Sequence, residues 1–209
     1  MRFTFGRAWM LAMALLYLVF IRWYGGSAPP VSAAEGAAYL ARMQAVQTGH
    51  TAFAAHPEIL TNLADWIAHD DGREFYMVNL VGLNPSPAGR AADAAYARHI
   101  LPLLLKHGAH PVFVGTVAHS FMGNGGHGVD RLAIVRYRSL RDFLDMNLEP
   151  DIANAADEKF AGLARTQNFA VHPVISLAMI RILVGFILAG TALAGNRLAR
   201  PRTTKNPIP

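Results

Sequence analysis

Four side chains in the middle of this 209-residue chain carry groups that could act on a small molecule: Asn79, His119, Arg136 and Tyr137. Each stands in a segment whose apolar residues alternate as in a strand, so each has a definable face. Asn79 is the lone polar side chain in residues 75–81 and shares its face with Phe75, Met77 and Val81. An amide so placed either ties down a neighbouring strand or loop, the commoner use, or anchors a polar ligand inside a cavity. Arg136 aligns with Leu132 and Ile134. A guanidinium among apolar strand residues can hold an anionic substrate or an acid, and it can equally sit at a sheet edge or pair across a dimer. Tyr137 aligns with Ala133 and Val135, and His119 with Phe113, Gly115 and Val117.

Stronger chemical signatures are missing. The chain has no GxSxG, no P-loop, no Rossmann fingerprint and no HExxH. Nine His lie at 50, 56, 69, 99, 107, 110, 119, 127 and 172, but there is no Cys and no carboxylate at ligand spacing to them. No metal site and no cofactor are expected. The glycine-rich stretch at 123–128 joins two strands and does not lead into a helix, so it offers no helix N-terminus to a phosphate. Whether the chain is an enzyme stays open, with catalytic residues unknown beyond the four candidates.

The elements that must position these residues follow from periodicity. Residues 35–47 and 57–69 read as amphipathic helices, the second starting at Pro57 with Ile59, Leu60, Leu63, Trp66 and Ile67 on one face. Residues 74–83 read as a strand, 90–107 as a helix that Pro102 should kink or restart, and 110–121 as a second strand. Residues 129–138 read as a third strand, Ser139 as the cap of a short helix, 151–165 as another helix and 167–172 as a last strand. The order β-α-β-β-α-β is the ferredoxin-like arrangement, an α+β fold.

These elements resemble a bacterial family of unknown function in the dimeric α/β-barrel superfamily. The likeness runs over roughly residues 70–170. It is carried by Tyr76, Met77, Val78, Asn79 and Leu80, by Tyr96 with Leu103 and Leu104, and by Lys106, His107 and Gly108. It continues in residues 114–117, in residues 130–137 with Ser139, Phe143 and Met146, and in residues 149–151 and 161–164. The resemblance implies a four-stranded antiparallel sheet backed by two helices, with two sheets pairing into a barrel. It implies no reaction, because the superfamily holds cofactor-free monooxygenases, isomerases and haem enzymes alike. Arg138 stands where that pattern commonly has Pro.

Two apolar runs bracket the domain, at 8–21 and 174–195. The second is long enough to span a bilayer; the first suits a retained anchor better than a cleaved signal. Arg181 lies in the first third of the second run, where a long side chain can snorkel to the interface; the sharper use is a contact with a partner or an anionic lipid. All 14 acidic residues lie between the runs, with eleven Lys and Arg, so that middle is mildly acidic and the +5 of the chain comes from its ends. That distribution excludes a nucleic-acid interface. Arg2 and Arg7 before the first run, and Arg197, Arg200, Arg202 and Lys205 after the second, place both termini in the cytoplasm.

The expected organisation is therefore an anchor at 1–24, a Gly/Pro/Ser linker at 25–34, a helical extension at 35–69 and a ferredoxin-like domain at 70–173. A membrane helix at 174–195 and a basic cytoplasmic tail at 196–209 complete it. The chain reads as a two-pass protein of a bacterial inner membrane with a periplasmic domain, in contact with lipid, working as a homodimer or as an accessory or assembly subunit of a larger membrane complex. Gly185, Gly190 and Gly195 would let a partner helix approach closely. The alternative is a small-molecule binder or cofactor-independent oxygenase or isomerase using the barrel cavity.

Overall fold

A computed structural model describes residues 5–123, 126–174 and 180–198. Arg2, the start of the second apolar run (175–179), the centre of the glycine loop (124–125) and the tail from residue 199 lie outside the described residues. The chain divides into two compact units, the terminal segments and Gly25–Val174.

The terminal unit is a pair of helices, α1 (Phe5–Tyr24) and α8 (Ile180–Leu198). Both are long and apolar enough to cross a membrane, at 20 and 19 residues. They pack antiparallel. The Trp9 indole donates to the Thr191 carbonyl at 3.1 Å, and the Tyr17 hydroxyl to the Arg181 carbonyl at 3.2 Å. The Arg181 guanidinium lies 5.2 Å from the centre of the Tyr24 ring, a cation–π geometry. A methyl group on Gly195 would collide with the Trp9 indole, and one on Gly185 would press on Tyr17. Gly190 faces open space. Two of the three glycines are thus occupied by the chain's own first helix.

In the second unit, β1 (Phe75–Leu83), β2 (His110–Thr116), β3 (Arg131–Tyr137) and β4 (Leu163–Val171) form one antiparallel sheet in the order β2-β3-β1-β4. This is the ferredoxin-like order. α5 (Pro87–Lys106) connects β1 to β2, and α6 (Leu140–Asn147) and α7 (Pro150–Gly162) connect β3 to β4. Each helix starts on a local signal. Ser86 accepts the Gly89 amide at 2.9 Å, Ser139 accepts the Asp142 amide at 3.2 Å, and Pro150 sits in the first turn of α7. α5 runs unbroken through Pro102, because Leu103 and Leu104 just beyond are buried in the core and packing offsets the one missing amide bond.

The face of the sheet carrying Phe75, Met77, Val135 and Tyr137 packs on α5, α6 and α7 through Leu103, Leu104, Met146 and Ile152. Tyr137 stacks on Phe75 at 5.2 Å and Phe143 meets it edge-on at 5.1 Å. A second core joins α2 (Ala33–Gly49) and α4 (Glu58–Ala68) to α6, through Met43, Leu63, Ile67, Leu140 and Leu144. A short α3 (Thr51–Ala54) lies between them. The extension at 35–69 is therefore integral to the domain.

Three elements differ from expectation for one reason, the reach of their pairing partners. Alternation predicts β2 to residue 121; it ends at Thr116 because β3 begins only at Arg131, and the last bond is Val117 N–H to the Asp130 carbonyl at 2.8 Å. β4 starts at Leu163, earlier than 167, because the far half of β1 pairs with it through Gly82–Arg165 and Leu83–Leu163. α7 stops correspondingly at Gly162.

The segment at 25–34 is also more than a linker. Ala28 N–H donates to the Gly72 carbonyl at 2.7 Å, Glu74 N–H to the Gly26 carbonyl at 3.1 Å, and Val31 N–H to Asp70 Oδ2 at 2.8 Å. Val31 is buried, and Ser32 forms a capping box with Glu35 at the start of α2. His172, at the far end of the domain's chain, bonds through Nδ1 to the Glu74 carbonyl at 3.0 Å. The turn at 70–74 thus holds both the incoming and the outgoing chain.

Candidate functional site

The four candidate residues occupy different places. Asn79 lies on the helix-backed face, where its amide donates to the carbonyls of Met77 and Ala133 at 3.1 Å each. The first stays within β1 and the second ties β1 to β3. Tyr137 shares that face, is buried in the aromatic cluster, and its hydroxyl is pushed well above the usual tyrosine range by burial. Arg136 is on the opposite face. His119 lies past the end of β2, exposed. The fold does not bring the four together.

Arg136 is the one with a built environment. It is 1% exposed, and its Nε and Nη2 donate to Glu74 Oε2 at 2.9 and 2.6 Å. His110 stands directly opposite on β2. Burial lowers the His110 pKa, and the Arg136 charge lowers it further, against a raising bond to the Pro111 carbonyl and the charge of Glu74. On the other side of Glu74, Asp71 accepts from the Arg73 amide and guanidinium, which hold its carboxyl low. His172 Nε2 stands 3.9 Å from Asp71. The sequence named Arg136 without naming Glu74. Alternation carries the signal, since Glu74 and Tyr76 share a face and Arg136 is the register partner of Tyr76.

A second charged pair stands at the other end of β3, on the helix-backed face. Arg131 forks onto Asp93 of α5 at 2.9 and 2.6 Å, and these bonds raise its pKa. Tyr96, one turn along α5 from Asp93, is pushed up to about 12 by burial. Several His are taken up by carboxylates at the domain surface: His56 by Glu58 at 2.9 Å, His99 by Glu158 at 2.6 Å and His107 by Glu149 at 2.9 Å.

Beyond Arg136 the face away from the helices is apolar and open. Val78 and Leu80 of β1 register with Ile134 and Leu132 of β3, and with Phe169 and Gln167 of β4. Phe113 of β2 is 51% exposed and Phe169 is 46% exposed. A row of aromatic and branched side chains on an uncovered sheet is a surface for another protein or a ligand.

No family model matches the chain, and no curated protein matches it. Solved structures do. A protein of unknown function from Rhodopseudomonas palustris is 25% identical, with a TM-score of 0.51 over 56% of this chain and 94% of its own. SnoaB, a cofactor-independent oxygenase from Streptomyces nogalater, is 14% identical with a TM-score of 0.37, over 50% of this chain and 96% of its own. A dimeric protein of unknown function and ferredoxin-like fold from Bacteroides fragilis is 13% identical with a TM-score of 0.36, over 48% of this chain and 96% of its own. The ferredoxin-like fold of this chain rests on its own strand order, β2-β3-β1-β4.

Proposed function

We propose that the chain is a membrane-anchored accessory or assembly subunit whose sheet face associates with protein, first with a second copy of itself. The observation that carries this reading is the open apolar face built from Val78, Leu80, Leu132, Ile134, Phe113 and Phe169. A soluble monomer rarely leaves such a surface to water. The helix pair supports the membrane part. Leu15, Leu183, Phe186 and Ile187 are all exposed, which suits lipid and does not suit a soluble core helix. Catalysis in a barrel cavity has less support. Asn79 and Tyr137 lie on the face away from the one a barrel would enclose, and Arg136 is engaged by Glu74.

The full chain, purified in mild detergent, is expected to be a dimer by light scattering. Phe113→Glu and Phe169→Glu should each yield monomers with an unchanged circular dichroism spectrum and a melting temperature lowered only by the lost association. A wild-type monomer, or a dimer indifferent to both changes, would remove this reading. A dimer that carries further proteins with it from native membranes would extend the reading to a larger complex.

A further inference from the structure

Between α5 and α7, two of the helices that back the sheet, lies an open groove of about 270 Å³, lined by Arg98, His99, Pro102, Leu103 and Asp151. Its α5 wall is two rows of residues four apart, Arg98 with Pro102 and His99 with Leu103, which stand one above the other on a helix. Asp151, in the first turn of α7, forms the other wall. Leu103 is buried and gives an apolar floor beside the ring of Pro102. His99 Nδ1 meets Glu158 Oε2 of α7 at 2.6 Å and ties the two helices together beside the groove. Small-molecule sites begin at about 300 Å³, so an occupant of this groove is small.

The groove carries charges of both signs. Arg98 and Asp151 are exposed, and among the described residues neither makes an ion pair or a side-chain hydrogen bond. They stand beyond ion-pair distance of each other. The nearby carboxylates are taken, Glu149 by Lys106 and His107, and Glu158 by His99. A third polar group comes from Pro102. In an α-helix the amide of residue 102 would donate to the carbonyl of residue 98, and proline has no amide hydrogen. The Arg98 carbonyl therefore lacks its helical donor, and it lies between Arg98 and Pro102, both of which line the groove. The acceptors, Asp151 and that carbonyl, suit an ammonium, and the guanidinium suits a carboxylate. Pro102 and Leu103 suit an apolar side chain.

We propose that this groove binds a small zwitterionic α-amino acid with an apolar side chain. Arg98 takes the carboxylate, Asp151 and the Arg98 carbonyl take the ammonium, and the side chain lies against Pro102 and Leu103. The ligand class is a zwitterion because only a zwitterion uses both charges. A plain acid would bring its carboxylate up against Asp151, and a plain amine would bring its ammonium up against the guanidinium. Binding is reversible, and no covalent bond is made or broken. The groove lies on the helix side of the domain, away from the open sheet face, so this site and the association proposed above can fail independently.

The probe is L-leucine, titrated into the full chain in mild detergent and followed by the backbone amide shifts of Leu103 and Asp151 in NMR spectra. Saturable shifts with a dissociation constant of about 1 mM are expected. Isopentylamine and 4-methylpentanoate each keep the side chain and a single charge, and each should bind at least about tenfold more weakly. Arg98→Gln should weaken leucine by about tenfold without weakening isopentylamine, and Asp151→Asn should weaken leucine similarly without weakening 4-methylpentanoate. Pro102→Ala separates binding from folding. It returns an amide to the Arg98 carbonyl, so it should raise the melting temperature and yet weaken leucine several-fold. No saturable shift at either amide, analogues that bind as well as leucine, or a Pro102→Ala chain that binds leucine as tightly as the wild type would overturn the proposal.

Discussion

Arg136 and Glu74 form the buried charge pair of the open face, where a guanidinium 1% exposed is costly to bury without a carboxylate beside it. Glu74→Gln removes that charge and leaves the cation in place. Chemical denaturation should show a loss of about 3 kcal/mol, the usual cost of breaking a buried pair from one side. Replacing both partners with apolar residues should recover much of it. Glu35 gives a contrasting case at the surface. Two bonds from Arg141, the Ser32 amide and the Ser32 hydroxyl hold its pKa down to about 2. A depressed carboxylate stabilises the fold above its unfolded pKa near 4.5 and loses that contribution as pH falls toward 2. Arg141→Gln should bring the Glu35 titration, followed by NMR of its side-chain carboxyl carbon, back up toward 4.5. An unchanged midpoint would mean that Ser32 alone sets it.

At the scale of elements, the helix pair makes the sharpest prediction. Gly195→Leu drives a side chain into the Trp9 indole and should cost about 1–3 kcal/mol of pairing. Gly190→Leu, facing open space, should cost nothing. Thermal melts of the two variants in detergent compare them directly. The strands were legible because alternation is a local property: residues 75–83 and 131–137 read as strands from their own side chains. Their ends were not, since β2 stops where β3 has no more backbone to offer, and β4 begins where β1 still does. Asn79 illustrates the same limit at the candidate site. Its lone polarity was visible, but its bond to the Ala133 carbonyl depends on the register of a strand 54 residues away.

For the whole molecule, in the membrane reading proposed above, antiparallel pairing of α1 and α8 would return the chain to the side it came from, as the basic residues near both ends would require. Reporter fusions at residue 60 and at the C-terminus should report opposite sides of the membrane. A cytoplasmic signal from residue 60 would reverse the topology proposed for the domain.

The turn at 70–74 has a mechanical consequence. Gly26, Ala28 and Val31 on the way in, and His172 on the way out, all bond to it. Within the domain, both ends of its chain are therefore fastened at one turn. Tension along the incoming connection is borne first by three hydrogen bonds at that turn, whereas on the outgoing side His172 adds one, directly after Val171, the last paired residue of β4. The Gly/Pro/Ser stretch, whose composition invites a protease, should for the same reason be cut slowly. Asp70→Ala, which frees Val31, should turn it into the first place the chain is nicked.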